Sequence, residues 1–165
     1  MSAHPYYAHR HRVTLDETNL VGNVYFAHYL RWQGHCRENF LADHAPGVIA
    51  ALASGLALVT LDCSAEFFAE GQALDVVEIR MRLDSQTGHR LTMSYDYVRT
   101  LPAPEILLAR GTQSVAVMER GAEGLRPVRI PDELTKALDP YRFRADGGQP
   151  ARNAQSAAGT GTVSG

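Results

Sequence analysis

The order of periodic segments constrains the fold of this chain more than any other feature. Residues 23–43 place apolar side chains at helical spacing, and four strand-like runs follow at 56–69, 75–84, 89–100 and 105–119. The second run alternates apolar and polar residues, as a strand with one buried face does. The segments do not alternate strand, helix, strand, so the order gives no indication of a parallel sheet. The sequence therefore predicts an α+β fold, a curved antiparallel sheet of about five strands wrapped round one long central helix.

The two ends of the chain complete this prediction. Residues 6–15 are rich in aromatic and branched side chains and predict the first strand. Residues 131–139 begin with a proline followed by acids and predict a short terminal helix. From residue 144 onward the chain is rich in Gly, Ala and Ser and has no aromatic residue. We expect a single domain over 1–143 and a disordered tail over 144–165.

Composition argues against several classes of partner and cofactor. The formal net charge is -2 and no long Lys/Arg run occurs, so neither nucleic acid nor an anionic membrane is an expected partner. No stretch approaches the roughly 20 apolar residues that span a bilayer, and no secretory signal is apparent, so we expect a cytoplasmic protein. Cys36 and Cys63 lack ligand spacing, and no nucleotide-binding or serine-hydrolase motif occurs. We expect no metal and no cofactor.

Arg37 is the residue of the predicted helix that most needs an explanation. At about 100° per residue it falls on the apolar half of the helix, opposite Glu38. A guanidinium keeps its charge, so it needs a carboxylate, several carbonyls, or an anionic or carbonyl-bearing ligand. Gln33, one turn earlier, supplies no charge. Position alone leaves a structural arginine and a ligand-binding arginine equally open.

The stretch LDETNLVGNVYFAHYLRWQGHCRENFL, residues 15–41, carries a family resemblance. It resembles the start of the 4-hydroxybenzoyl-CoA thioesterase-like branch of the hotdog superfamily, and within it the thioesterases of enediyne polyketide biosynthesis. The resemblance continues through LDCSAEFFAEGQALDVVEIRMRL and RPVRIPDEL. It implies a hotdog fold and thioester hydrolysis.

The resemblance also implies roles for single residues. The broader branch usually has a carboxylate at the position of Asn19 and often a glutamate at that of Gln33, and an amide is neither nucleophile nor base. The resemblance to the enediyne enzymes implies that Asn19 and Arg37 serve hydrolysis of a long polyene β-ketoacyl group from an acyl carrier protein, without a catalytic carboxylate. Decarboxylation is a possible sequel.

Substrate contacts are predicted around these two residues. A helix that starts near Asn23 would offer free backbone N–H groups to the thioester carbonyl. Tyr25 and Tyr29 lie on the apolar half of the helix, where they are either substrate contacts or core rings, and Thr60 interrupts an apolar strand. The predicted substrate-binding residues are Val24, Tyr25, Phe26, Tyr29, Gln33 and Thr60.

Rival functions and the oligomeric state stay open at this stage. Hotdog domains also serve as dehydratases, but His28 and His35 face the polar side of the helix, which argues against that function. A non-catalytic acyl-binding partner of a polyketide synthase and a general acyl-CoA thioesterase remain alternatives. We expect a homo-oligomer, a tetramer built as a dimer of dimers, with sites at the dimer interface.

Overall fold

The strands form one antiparallel sheet that curls around a central helix, as a computed structural model of residues 6–143 describes it. The strands are β1 (Tyr7–Arg12), β2 (Leu56–Phe67), β3 (Val76–Thr87), β4 (Arg90–Leu101), β5 (Ile106–Gly121) and β6 (Gly124–Pro127). The order of the strands across the sheet is β1-β3-β4-β5-β2, with β6 paired to β5. The helices are α1 (Ala27–His44), α2 (Pro46–Ala53) and α3 (Asp132–Leu138). The predicted α+β fold is confirmed; the predicted tail lies outside the described residues.

The alternation in β3 places the core as the sequence predicts. Val77, Ile79, Met81 and Leu83 are fully buried, whereas Arg80 between them reaches the outer face. Side chains alternate across a strand, so β3 presents one apolar face to α1 and one polar face outward. Among the described strands, β2 pairs only with β5 and therefore leaves one long edge open.

The central helix begins later than predicted. Asn23 and Val24 form isolated bridges with Gln72 and Thr18, so this stretch is extended, and α1 starts only at Ala27. The helix then buries one face, as its periodicity predicts. The buried residues of α1 are Tyr29, Trp32, Gln33, Cys36, Phe40 and Leu41.

The segment after α1 contains a helix that the sequence analysis missed. α1 ends at His44, and Pro46 occupies the first turn of α2, where its missing N–H costs nothing. Gly47 donates its N–H to Oε1 of Glu133 at 3.1 Å, and Val48 is buried. The short strand β6 was also not predicted.

The two ends of the domain largely agree with the prediction. The first strand is shorter than 6–15, because Leu15–Glu17 forms a 3-10 turn with a capping box between Thr14 and Glu17. The terminal helix at Asp132–Leu138 is confirmed. Between residues 6 and 143, no helix combines the length and apolar character that crossing a membrane requires.

Candidate active site

A cavity of about 220 Å³ opens at the N-terminal end of α1. Four residues predicted to form the site, Asn19, Val24, Phe26 and Tyr29, line it together. The other five wall residues were not predicted as site residues from the sequence. The full lining is Asn19, Asn23, Val24, Phe26, Tyr29, Phe67, Ala69, Glu70 and Gly71.

Asn19 sits in a tight turn that its own side chain stabilises. Its backbone N–H donates to the carbonyl of Asn23 at 2.9 Å, and Gly22, at φ +90°, supplies the left-handed residue. Its Oδ1 accepts from the N–H of Val21 at 3.0 Å, and its Nδ2 donates to Oδ1 of Asn23. A carboxamide has two donors and two lone pairs, so Asn19 retains one of each for a ligand.

A buried carboxylate anchors the loop that carries Asn19. Glu17 accepts hydrogen bonds from the backbone N–H of Thr14 at 2.8 Å and from Nε1 of Trp32 at 2.9 Å, and it lies 2.8 Å from Nε2 of His11. Burial by itself would raise the pKa of Glu17, but these hydrogen bonds outweigh it and lower the pKa to about 2. Glu17 was not predicted from the sequence to have this role.

The prediction that the backbone N–H groups after Asn23 are free is correct only in part. Val24 donates its N–H to the carbonyl of Gly71 at 2.8 Å, and Tyr25 donates to the carbonyl of Glu17 at 2.9 Å, so neither is free. The prediction was wrong for these two N–H groups because the chain is still extended there. Phe26 and Ala27 carry backbone N–H groups that have no acceptor among residues 6–143. Both N–H groups lie at the start of α1, where the helix dipole favours negative charge.

Two predicted aromatic contacts differ in burial. Tyr25 is 45% exposed, so it is not the core ring that its helical position suggested. Tyr29 is buried, with its ring centroid 5.0 Å from that of Phe67. Burial raises the pKa of Tyr29 to about 12, against a hydrogen bond from the backbone of Gly71 that lowers it. Tyr29 is therefore a neutral phenol at physiological pH.

Arg37 lies elsewhere on the helix, away from Asn19. Its Nη1 donates to Oε1 of Gln113 at 3.0 Å and lies 3.4 Å from Oγ1 of Thr60. No carboxylate forms an ion pair with Arg37 within the described part of the chain. Arg37 and Thr60, which were predicted separately as site residues, are thus brought together, whereas Gln113 was missed because β5 is distant in sequence.

Gln33 links α1 to β2 through its amide. It is fully buried, and its Nε2 donates to the carbonyl of Ser64 at 2.9 Å. A Cβ at Gly111 would lie only 2.6 Å from that same carbonyl, so the absent side chain leaves room for the amide. Gln33 does not line the cavity beside Asn19, and its role in substrate binding stays a prediction.

Metal binding and the Cys36 thiol offer no alternative chemistry among the described residues. Within residues 6–143, no group of three or more His, Cys, Asp or Glu side chains is arranged to hold a metal ion. Burial raises the pKa of the Cys36 thiol, which keeps it protonated and inert.

The sequence of residues 13–138 matches the family model of the thioesterase-like superfamily. The chain belongs to this superfamily. It is 66% identical to the dynemicin thioesterase, an enediyne enzyme whose solved structures describe induced-fit and allosteric effects upon polyene binding. The match covers 85% of this chain and 99% of that one, with a TM-score of 0.84. Curated protein sequences give no significant match.

More distant thioesterases share the fold alone. A 4-hydroxybenzoyl-CoA thioesterase is 18% identical, covering 81% of this chain and 99% of that chain at a TM-score of 0.72. A 1,4-dihydroxy-2-naphthoyl-CoA thioesterase from Synechocystis is 21% identical, covering 81% and 95% at a TM-score of 0.68. The family model and the 66% identical enzyme, rather than these distant structures, confirm the hotdog fold, the resemblance to enediyne thioesterases and thioester hydrolysis.

Proposed function

We propose that this thioesterase hydrolyses a long polyene β-ketoacyl thioester carried by an acyl carrier protein, with the cytoplasm as the compartment. The similarity to the dynemicin thioesterase, whose structures describe polyene binding, supports the acyl class. The cavity walls support it independently, because Val24, Phe26, Tyr29 and Phe67 offer an apolar and aromatic surface to an extended conjugated chain.

The donors around the cavity suit attack by water. With the thioester oxygen held by the N–H groups of Phe26 and Ala27, the carbonyl carbon becomes more electrophilic, and Asn19 orients the water or the acyl oxygen with its remaining amide hydrogen. The water oxygen bonds to carbon, the carbon–sulfur bond breaks, and the water proton ends on the departing thiolate. Loss of one such donor typically raises the barrier by about 3–4 kcal/mol.

This mechanism contains no catalytic carboxylate. Positions 19 and 33 are amides, and Glu70 is the only carboxylate residue among the nine that line the cavity. Glu70 is exposed, and no hydrogen bond to a described residue holds its carboxylate in place. A general base must be positioned within hydrogen-bond reach of the water, so we assign Glu70 no catalytic role.

Asn19 and Arg37 lie far apart within one chain, and this distance is the reason for proposing a site that two chains share. Ala27, beside the cavity, and Arg37 are ten residues apart on α1, about 15 Å along its axis. Thr60, next to Arg37, and Phe67, next to Asn19, are seven residues apart on β2, about 23 Å. One chain alone therefore leaves the guanidinium far from the thioester.

A second copy supplies the missing arginine if the open edges of β2 pair. Residues 60–64 of this edge strand are exposed, and a long unpaired edge favours pairing with another chain. Antiparallel pairing about a twofold axis between Cys63 and Ser64 sets Thr60 of one copy opposite Phe67 of the other. Arg37 of the partner subunit then faces the cavity beside Asn19. Two such dimers form the proposed tetramer.

Complementation between two impaired variants tests this arrangement. Asn19→Ala and Arg37→Ala chains, each strongly slowed on the keto substrate, are co-expressed with different tags, and the doubly tagged species is purified and assayed on that substrate. In the purified mixed dimer one of the two sites has both residues and the other has neither, so about half of the wild-type rate returns. No recovery in a verified mixed dimer would mean that both residues act within one chain.

Decarboxylation is the proposed sequel to hydrolysis. A β-keto acid loses carbon dioxide by leaving its electron pair on the α-carbon as an enolate, which then takes a proton from water. A guanidinium beside the ketone stabilises that enolate. The ratio of methyl ketone to β-keto acid, measured early in turnover, should therefore fall in Arg37→Ala, whereas an unchanged ratio means that decarboxylation occurs in free solution.

A general acyl-CoA thioesterase is the alternative activity. It predicts similar kcat/KM for keto and non-keto thioesters and for coenzyme A and carrier-protein donors. The proposed function predicts a preference for the β-ketoacyl group and for the carrier protein, and comparing these four donors separates the two.

A further inference from the structure

Gln113 is a buried amide in the floor of the sheet, with 5% of its surface exposed. In β5 it lies between Cys63 of β2 and Met93 of β4, and Met93 is also buried. A buried amide costs stability unless it is hydrogen-bonded, and its Oε1 accepts from Nη1 of Arg37 at 3.0 Å. The oxygen must face the guanidinium, because arginine has donors only.

The acceptors of Arg37 are all neutral. Oε1 of Gln113 and Oγ1 of Thr60 fix the direction of the guanidinium, and no carboxylate pairs with it among residues 6–143. A carboxylate in place of the amide would hold the guanidinium equally well and would also cancel its charge. The amide therefore separates two effects that an ion pair combines, orientation and neutralisation.

We propose that Gln113 is a positioning residue that sets the preference for β-ketoacyl substrates, by aiming Arg37 while leaving its charge uncompensated. The inference rests on the proposed function, in which Arg37 binds the β-keto oxygen. A partly buried cation without a counter-ion binds that oxygen, and the enolate derived from it, more strongly than a saturated acyl chain, which offers no partner.

Two nearly isosteric substitutions separate charge from orientation. Gln113→Glu keeps an acceptor for Arg37 and adds a negative charge, whereas Gln113→Met keeps the volume and removes the acceptor. The keto to non-keto ratio of kcat/KM should fall at least about tenfold in Gln113→Glu, the value of a charge-assisted hydrogen bond. It should fall less, about threefold and mainly through KM, in Gln113→Met.

A purely structural role predicts the opposite order. If Gln113 served only to satisfy Arg37, Gln113→Glu would be benign and Gln113→Met the more damaging change. The matched control is Gln86→Glu, because Oε1 of Gln86 also accepts from an arginine, Arg142, at 3.5 Å, but in a different part of the domain. This control should leave the ratio unchanged.

A double-mutant cycle with Arg37→Ala completes the test. Gln113→Glu should change the ratio in the wild-type background and leave it unchanged when Arg37 is absent. Additive effects of the two substitutions would overturn the inference. So would a keto to non-keto ratio that is higher in Gln113→Glu than in Gln113→Met. If wild type prefers keto substrates through Arg37 but Gln113→Glu retains the preference, only this inference fails; if wild type shows no preference, the proposed function fails with it.

Discussion

Nε1 of Trp32 donates a hydrogen bond of 2.9 Å to Oε1 of Glu17, which ties α1 to the loop that carries Asn19. The same carboxylate caps Thr14 and faces His11 on β1, so three elements converge on one buried charge. The free N–H groups at the start of α1 and the turn of Asn19 are held in mutual register by this carboxylate. Activity and stability therefore share one anchor.

This anchor predicts a defined dependence of stability on pH. The pKa of Glu17 falls from 4.5 to about 2 on folding, so its contribution is present above pH 4.5 and is lost as the pH falls toward 2. Its size is on the order of 3 kcal/mol. Glu17→Gln should lose that amount at pH 7 and flatten the decline below pH 4.5, measured by urea unfolding.

The control for this measurement is Glu38→Gln, an exposed carboxylate on α1 that should change the unfolding free energy by less than about 0.5 kcal/mol. A Glu17→Gln protein with the wild-type pH dependence would show that Glu17 does not hold the loop.

Glu70 provides a direct test of carboxylate-free hydrolysis. Glu70→Gln should keep kcat/KM within about threefold of wild type, because the residue has no position from which to activate water, whereas loss of a true general base costs about 10²–10⁴-fold. The pH–rate profile should also be unchanged. A hundredfold loss of kcat would identify Glu70 as the base and replace the proposed mechanism.

Gly111 should tolerate no side chain. The Cβ of Gly111→Ala would approach the backbone carbonyl of Ser64 to 2.6 Å and press on the amide of Gln33, so we expect about 1–3 kcal/mol of destabilisation. Gly34, inside α1, has nothing within 4 Å of its Cβ position, and Gly34→Ala should stabilise by about 0.5–1 kcal/mol. Thermal unfolding of both variants checks the pair; equal effects would contradict it.

The fold followed from local periodicity, and the site followed only in part. The alternation around Ile79 and the helical spacing around Trp32 are local signals, so they predicted β3 and α1 correctly. The start of α1 was misplaced because the bridges of Asn23 to Gln72 and of Val24 to Thr18 depend on tertiary structure.

Residues that act through distant contacts escaped the sequence analysis for the same reason. Gln113 lies 76 residues from Arg37, and no spacing rule connects them. Glu17 was missed because only the fold shows that Trp32 and His11 surround its carboxylate. Asn19 and Arg37 themselves came from the family resemblance.

Single-turnover hydrolysis of a β-ketoacyl carrier-protein thioester and of its non-keto analogue, by wild type, Asn19→Ala and Arg37→Ala, tests the central claim most directly. The account predicts that wild type cleaves the keto substrate preferentially, that Asn19→Ala slows both substrates by about 10²–10³-fold, and that Arg37→Ala slows mainly the keto one. Wild-type rates retained by both variants, or a wild type that binds the thioester without cleaving it, would contradict the account.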